Sequence, residues 1–145
     1  MTPTKSHRLL LFVSGLVAAI IGGAILVEPH AFHATNGITL GIDPSLLSEV
    51  RAPGGLLLAL GAMILTGAVR ASFAVPATAT SAVLFLSYGF ARLVSLALDG
   101  VPANGLLVAM AIELGLGITS TLALQRAAER GQCVARHDAR TRRAA

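Results

Sequence analysis

The chain has 145 residues, 54% of them hydrophobic and 12% charged, with a mean hydropathy of +0.77 and a net charge of +4. Soluble domains carry roughly twice that charged fraction, so the composition argues against a water-soluble globular protein, and the length suits one domain. A pI near 10.6 raises nucleic acid as a partner. That is the weaker reading, because six of the eleven basic residues follow Leu124, where arginines beside apolar segments act as a membrane-topology signal.

Residues 1–8 are polar and hold Lys5, His7 and Arg8. Residues 9–27 follow without a charge, ~28 Å of helix against a hydrocarbon core of ~30 Å. A basic segment before an apolar run is also the mark of a cleaved signal peptide. The run is long for that, and Glu28-Pro29-His30 follows directly with no small-x-small site, which favours a retained helix. Gly15, Ala19 and Gly23 recur every fourth residue, and such a face allows close approach of a neighbouring helix.

Residues 28–50 contain Glu28, Asp43 and Glu49 but no Lys or Arg. Residues 39–42 are expected to be extended. Asp43-Pro44 then reads as a helix cap with proline at the first helical position, giving a short interfacial turn over 45–50. The second span covers 53–69, and Pro53 followed by Gly54-Gly55 predicts a bend or a tight helix contact near its mouth. Arg70 anchors its far end, and residues 71–76 form a tight connection. The third span, 78–98, carries Tyr88 and Arg92 four residues apart and therefore on one face. Asp99-Gly100 ends it, and Pro102 precedes a fourth span over 104–124. The first turns of 125–145, a basic tail, are expected to prolong that helix and its last residues to be disordered. The fold class is thus all-α, a single four-helix transmembrane domain arranged as an up-down antiparallel bundle.

With four spans, Lys5, Arg8, Arg70 and the six tail arginines share one side. Glu28, Asp43, Glu49 and Asp99 share the other, with Arg51 the only basic residue there. The positive-inside rule then places both termini in the cytoplasm. Trp is absent and Tyr occurs once, so the aromatic belt usual at membrane surfaces is nearly missing.

Charges inside a span are costly and mark candidate sites. Arg92 lies roughly 9 Å and Glu113 roughly 13 Å from the surface shared by Leu98 and Asn104, at ~1.5 Å per helical residue. At similar depth on consecutive antiparallel helices, the two are expected to pair. The pair could fix helix register, or it could form a polar site with Tyr88 that binds an anionic small molecule or exchanges a proton. The first of these is favoured, because a neutralised arginine needs no ligand. At the outer surface stand Glu49, Arg51 and Asp99. Glu49 and Arg51 cannot face each other on one helix, whereas Arg51 could reach Asp99 or simply snorkel.

Glu28, His30 and His33 offer a carboxylate and two imidazoles, but the spacing is not that of a zinc site, and Cys133 with His137 is weaker still. No metal or cofactor is assigned. The lone Cys133 cannot form an internal disulfide. There is no phosphate-binding glycine loop, HExxH or nucleophile elbow, and Ser14, Ser72, Ser81 and Ser87 have no histidine nearby in sequence.

Residues 49–55 (EVRAPGG) and 88–100 (YGFARLVSLALDG), followed by Glu113 and Leu114-Gly115, resemble the small bacterial membrane proteins grouped as domain of unknown function 4345. The resemblance runs from the first span to the fourth. It implies a four-helix protein of the bacterial cytoplasmic (inner) membrane and brings no activity. It marks Glu49, Arg51, Gly54, Gly55, Arg92, Asp99, Gly100 and Glu113 as the motif positions of this chain.

Three functions follow in order of weight. A structural or accessory protein, assembling with itself or with a membrane-protein partner among membrane lipids, is suggested by the small-residue face of the first span. A small-molecule or lipid binder, or a minimal transporter, would use the Arg92–Glu113 site. An enzyme acting on a lipid or quinone would rely on those same two groups for proton transfer, and is the least supported.

Overall fold

The structure, a computed structural model, describes the backbone of residues 4–144 and the side chains of residues 4–129. The first charge-free run lies within α1 (Lys5–Val27), where the Thr4 hydroxyl accepts from the His7 amide at 3.3 Å. Pro29 at once opens a further helix, α2 (Pro29–Ala34), in a segment for which the sequence reading assigned none. Proline at the first helical position was the available signal. Glu28 joins the two helices, giving its amide to the Ala24 carbonyl and its carbonyl to the Phe32 amide. Residues 38–43 have no regular structure.

α3 (Pro44–Val69) begins where the cap signal put it, with the Asp43 carboxylate accepting from the Leu46 amide at 2.9 Å. It is one continuous helix through Pro53, so residues 45–50 are its first turns and not a separate element. Proline removes one helical hydrogen bond. Val50, which packs against the core just before it, supplies apolar burial that offsets this loss. A 3₁₀ turn (Ala71–Phe73) leads into α4 (Ala74–Asp99). Pro76 falls in the first turn of α4, where a missing amide is tolerated, and this is why the helix starts before residue 78. Gly100 ends it at φ 93°, a left-handed conformation that a side chain would strain. α5 (Asn104–Ala144) carries helix through the basic tail as well. Expected disorder at the end of the tail is therefore corrected: alanine, arginine and glutamine favour helix there.

Four of these helices are long and apolar enough to cross a membrane. They pack as two close pairs, α1 on α3 and α4 on α5. In the first pair the backbones touch. A Cβ built on Gly15 would lie 2.9 Å from the Gly61 carbonyl oxygen, and one built on Gly61 would lie 2.6 Å from the Ala19 amide nitrogen. The seam runs through Gly15, Ala18, Ala19 and Gly22, while Gly23 meets open space. The expected four-residue repeat is thus replaced by a seven-residue one from Gly15 to Gly22, the repeat of helices that stay in register over two turns. In the second pair Leu114 covers Gly89 and Leu86 covers Gly117, and the buried hydroxyls of Ser81 and Ser120 bond at 2.9 Å.

The pairs meet at the end that bears the N-terminus of α1. There Leu11, Ile64, Ala74 and Ala77 are buried, and Gly67 lies against Ala77. His7 reaches Thr78 at 2.7 Å, and the Thr78 hydroxyl gives its proton to the Ala74 carbonyl at 2.6 Å. Thr78 therefore accepts, and His7 carries its proton on Nε2. Beyond Gly89 no residue of α4 is buried, and α1 and α5 touch only slightly. The two pairs separate in this half of the bundle.

Candidate functional site

The separation leaves a cavity of about 270 Å³ walled by α1, α4 and α5, with Phe32 of α2 and Leu57 of α3 completing it. Val17, Ile21, Leu84, Phe85, Val108 and Ile112 make its wall largely apolar, and Tyr88, Arg92 and Glu113 are its polar side chains. At ~30 Å³ per water in the liquid, its volume is that of roughly nine waters, near the lower limit for small-molecule pockets.

The helix geometry brings the three polar residues together. Tyr88 and Arg92 are one turn apart on α4, and Glu113 comes from the facing turn of α5. Arg92 Nε donates to Glu113 Oε2 at 2.8 Å. The Glu113 side chain is 10% exposed and that of Arg92 31%. The bond is single rather than forked. Among the described residues no partner engages the terminal guanidinium nitrogens, Glu113 Oε1 or the Tyr88 hydroxyl. Arg92 also lines a second, smaller void of about 50 Å³ beside Ser95, Pro102, Leu106 and Met110, so the guanidinium stands between the two spaces.

The outer polar residues do not join this site. Arg51 Nε donates to the Leu26 carbonyl at 3.1 Å, and Asp99 accepts from Ser95 one turn before it at 2.8 Å. The Arg51–Asp99 pair considered from sequence is not made. Arg51 instead meets a carbonyl at the C-terminal end of α1, where the unpaired carbonyls of the last turn favour a cation. Glu49 is exposed. His33 Nδ1 donates to the Pro29 carbonyl at 2.8 Å, and among the described residues no three of His, Cys, Asp and Glu converge. The side chains of Cys133 and His137 lie outside the described residues.

Sequence reasoning missed the walls from α1 and α2. Val17 and Ile21 look like ordinary lipid-facing residues, and only the splaying of the pairs turns them toward Arg92. Phe32 could have been suspected once Pro29 was taken as a helix start.

No curated protein and no solved structure matches the chain. The model of the family described as domain of unknown function (DUF4345) matches residues 6–124. That interval contains all four apolar helices up to the start of the tail, together with Tyr88, Arg92 and Glu113, and the chain belongs to this family.

Proposed function

We propose that this protein binds a lipophilic small molecule within the bilayer, in the cavity between α1 and the α4–α5 pair. The observation that carries the reading is an apolar cavity with one polar corner, where donors and acceptors remain after the Arg92–Glu113 bond is made. Polar groups buried in hydrocarbon are costly unless they meet partners. A ligand that satisfies them while filling apolar space gains on both counts. The accessory-protein reading loses part of its motive, because Gly15, Ala19 and Gly22 of α1 pack against α3 inside the chain, leaving Gly23 in open space.

The charge distribution suggests the membrane frame for this reading. Lys5, Arg8, Arg70 and the tail arginines stand opposite Glu28, Asp43, Glu49 and Asp99, which supports both termini in the cytoplasm of a bacterial inner membrane. The cavity then lies in the outer half of the bilayer. Reporter fusions after Arg70 should read cytoplasmic and fusions after Thr39 periplasmic. The reverse pattern refutes this orientation.

Ala109 lines the cavity, and Ala109→Trp should fill it. Protein purified in mild detergent and extracted for lipid mass spectrometry should retain a lipophile that the Ala109→Trp protein lacks. Identical extracts from the two proteins, in bulk membrane proportions, would refute binding.

A further inference from the structure

We infer that the ligand is a lipophile with an uncharged, oxygen-bearing head, a hydroxyl or carbonyl compound, and that Arg92 and Glu113 read the head as a neutral unit. This rests on the cavity being a binding site and adds the chemical class of what enters it.

Charge balance comes first. Among the described residues Arg92 and Glu113 are the only charged side chains lining the cavity, and they bond to each other at 2.8 Å. The lined space is therefore neutral overall. An anionic head would leave one net negative charge in hydrocarbon, and a cationic head one net positive charge. Either costs about 2.5–3.5 kcal/mol on insertion scales, which converts to a penalty on the order of a hundredfold in affinity.

The hydrogen-bonding inventory points the same way. Arginine has five N–H donors, and one is engaged. Glu113 Oε1 is a free acceptor, and the Tyr88 hydroxyl can act either way. A carbonyl can take protons from Arg92 or Tyr88, and a hydroxyl can in addition give one to Glu113. Neither needs the ion pair to break.

The volume limits the rest of the molecule. About 270 Å³ holds the head and a short stretch of one chain, not a two-chain phospholipid. The remainder must leave the cavity, and the slight contact between α1 and α5 gives it the way out into the bilayer. Val108 and Ile112 line the cavity and are also about half exposed, as residues at such an opening would be.

The molecule supplies its own reporter. Tyr88 is the only tyrosine and there is no tryptophan, so intrinsic emission of the purified protein comes from the cavity wall alone. The full chain reconstituted in otherwise protein-free lipid vesicles is titrated with three probes sharing a ten-carbon tail: 1-decanol, decyl sulfate and decyltrimethylammonium, each expressed as mole fraction in the lipid. Saturable change in Tyr88 emission is expected with 1-decanol, at concentrations on the order of a hundredfold below those needed for either charged probe. In the variant carrying Arg92→Met and Glu113→Leu, 1-decanol should bind about tenfold more weakly, the loss of roughly one or two hydrogen bonds. Tightest binding of decyl sulfate to the wild-type protein would overturn the inference, because Arg92 would then be acting as an anion receptor. Saturable binding that ignores the head would overturn it too, while leaving the cavity a lipophile site. No saturable response to any probe would remove both.

Discussion

Removing one partner of the Arg92–Glu113 pair should cost far more than removing both. Nε and Oε2 are 2.8 Å apart, which places the charge centres about 4 Å apart and gives an attraction of ~4 kcal/mol at an effective dielectric near 20. Arg92 keeps 31% exposure, so part of this is screened. Glu113→Gln leaves a guanidinium, which cannot shed its proton, in an apolar wall without its counter-ion. Losses for breaking such pairs run to about 3–5 kcal/mol, and about 3 kcal/mol is expected here. Arg92→Met leaves a carboxyl that can take up a proton and become neutral, so about 1–2 kcal/mol is expected, the smaller loss. The double change Arg92→Met with Glu113→Leu puts compatible apolar groups in place of both, and should come within about 1 kcal/mol of the parent. Thermal unfolding of the four proteins in one mild detergent closes the cycle. Strictly additive losses would show that the two residues do not interact, and both the pairing and the neutral-site argument built on it would fall.

Gly22→Ala should destabilise by about 1–3 kcal/mol, because the new Cβ would meet the Leu58 amide and lie 2.6 Å from the Gly54 carbonyl oxygen. Gly23→Ala, one residue on and facing open space, should be neutral or gain up to about 1 kcal/mol from helix propensity; equal effects in a melting comparison would refute the seam. Ser14 buries a hydroxyl with no partner among the described residues, so Ser14→Ala should raise stability by about 1 kcal/mol, and a clear loss would reveal a hidden bond. Ser81→Ala strands the Ser120 hydroxyl and should lose about 1 kcal/mol, most of it recovered when Ser120 is also changed to Ala. Absence of that recovery would show that the 2.9 Å contact contributes nothing.

The spans were legible because hydrocarbon imposes one rule, ~20 apolar residues per crossing, and the chain obeys it four times with turns between. Asp43-Pro44 and Asp99-Gly100 were legible for a local reason: a cap and a left-handed glycine act within a few residues of themselves. The approach of Arg92 to Glu113 was legible from depth, since a short Asp99-to-Ala103 connection leaves their helices little freedom to slide. Other features depend on how helices cross, which no local pattern encodes. Gly23 looked equivalent to Gly15 on a four-residue repeat, and only the geometry of the α1–α3 contact selects Gly22 instead. Arg51 is expected from sequence to reach Asp99 or to snorkel, and it takes the backbone carbonyl of Leu26 instead. The cavity itself is a difference between two packings, and composition along a single helix carries no trace of it.

The two halves of the bundle constrain function differently. In the half that bears the termini, the Gly67–Ala77 contact, Leu11 and Ile64 with no exposure, and the His7–Thr78 bond close the space between the pairs. Ser81 and Ser120 add a buried bond inside the α4–α5 pair. In the other half the same helices stand apart around Arg92 and Glu113. A path through one chain would require the closed half to open, and at the α1–α3 seam the backbones are already in contact at Gly15, Gly22 and Gly61. Sliding α1 past α3 would drive Ala19 and Leu58 into glycine positions that admit no Cβ. The pairs can instead separate along the thin α1–α5 boundary, which exposes the cavity sideways to lipid and to neither aqueous face. On the proposed binding role, that motion would load and unload a lipophile from the bilayer, and on this ground binding fits the bundle better than a transport path does.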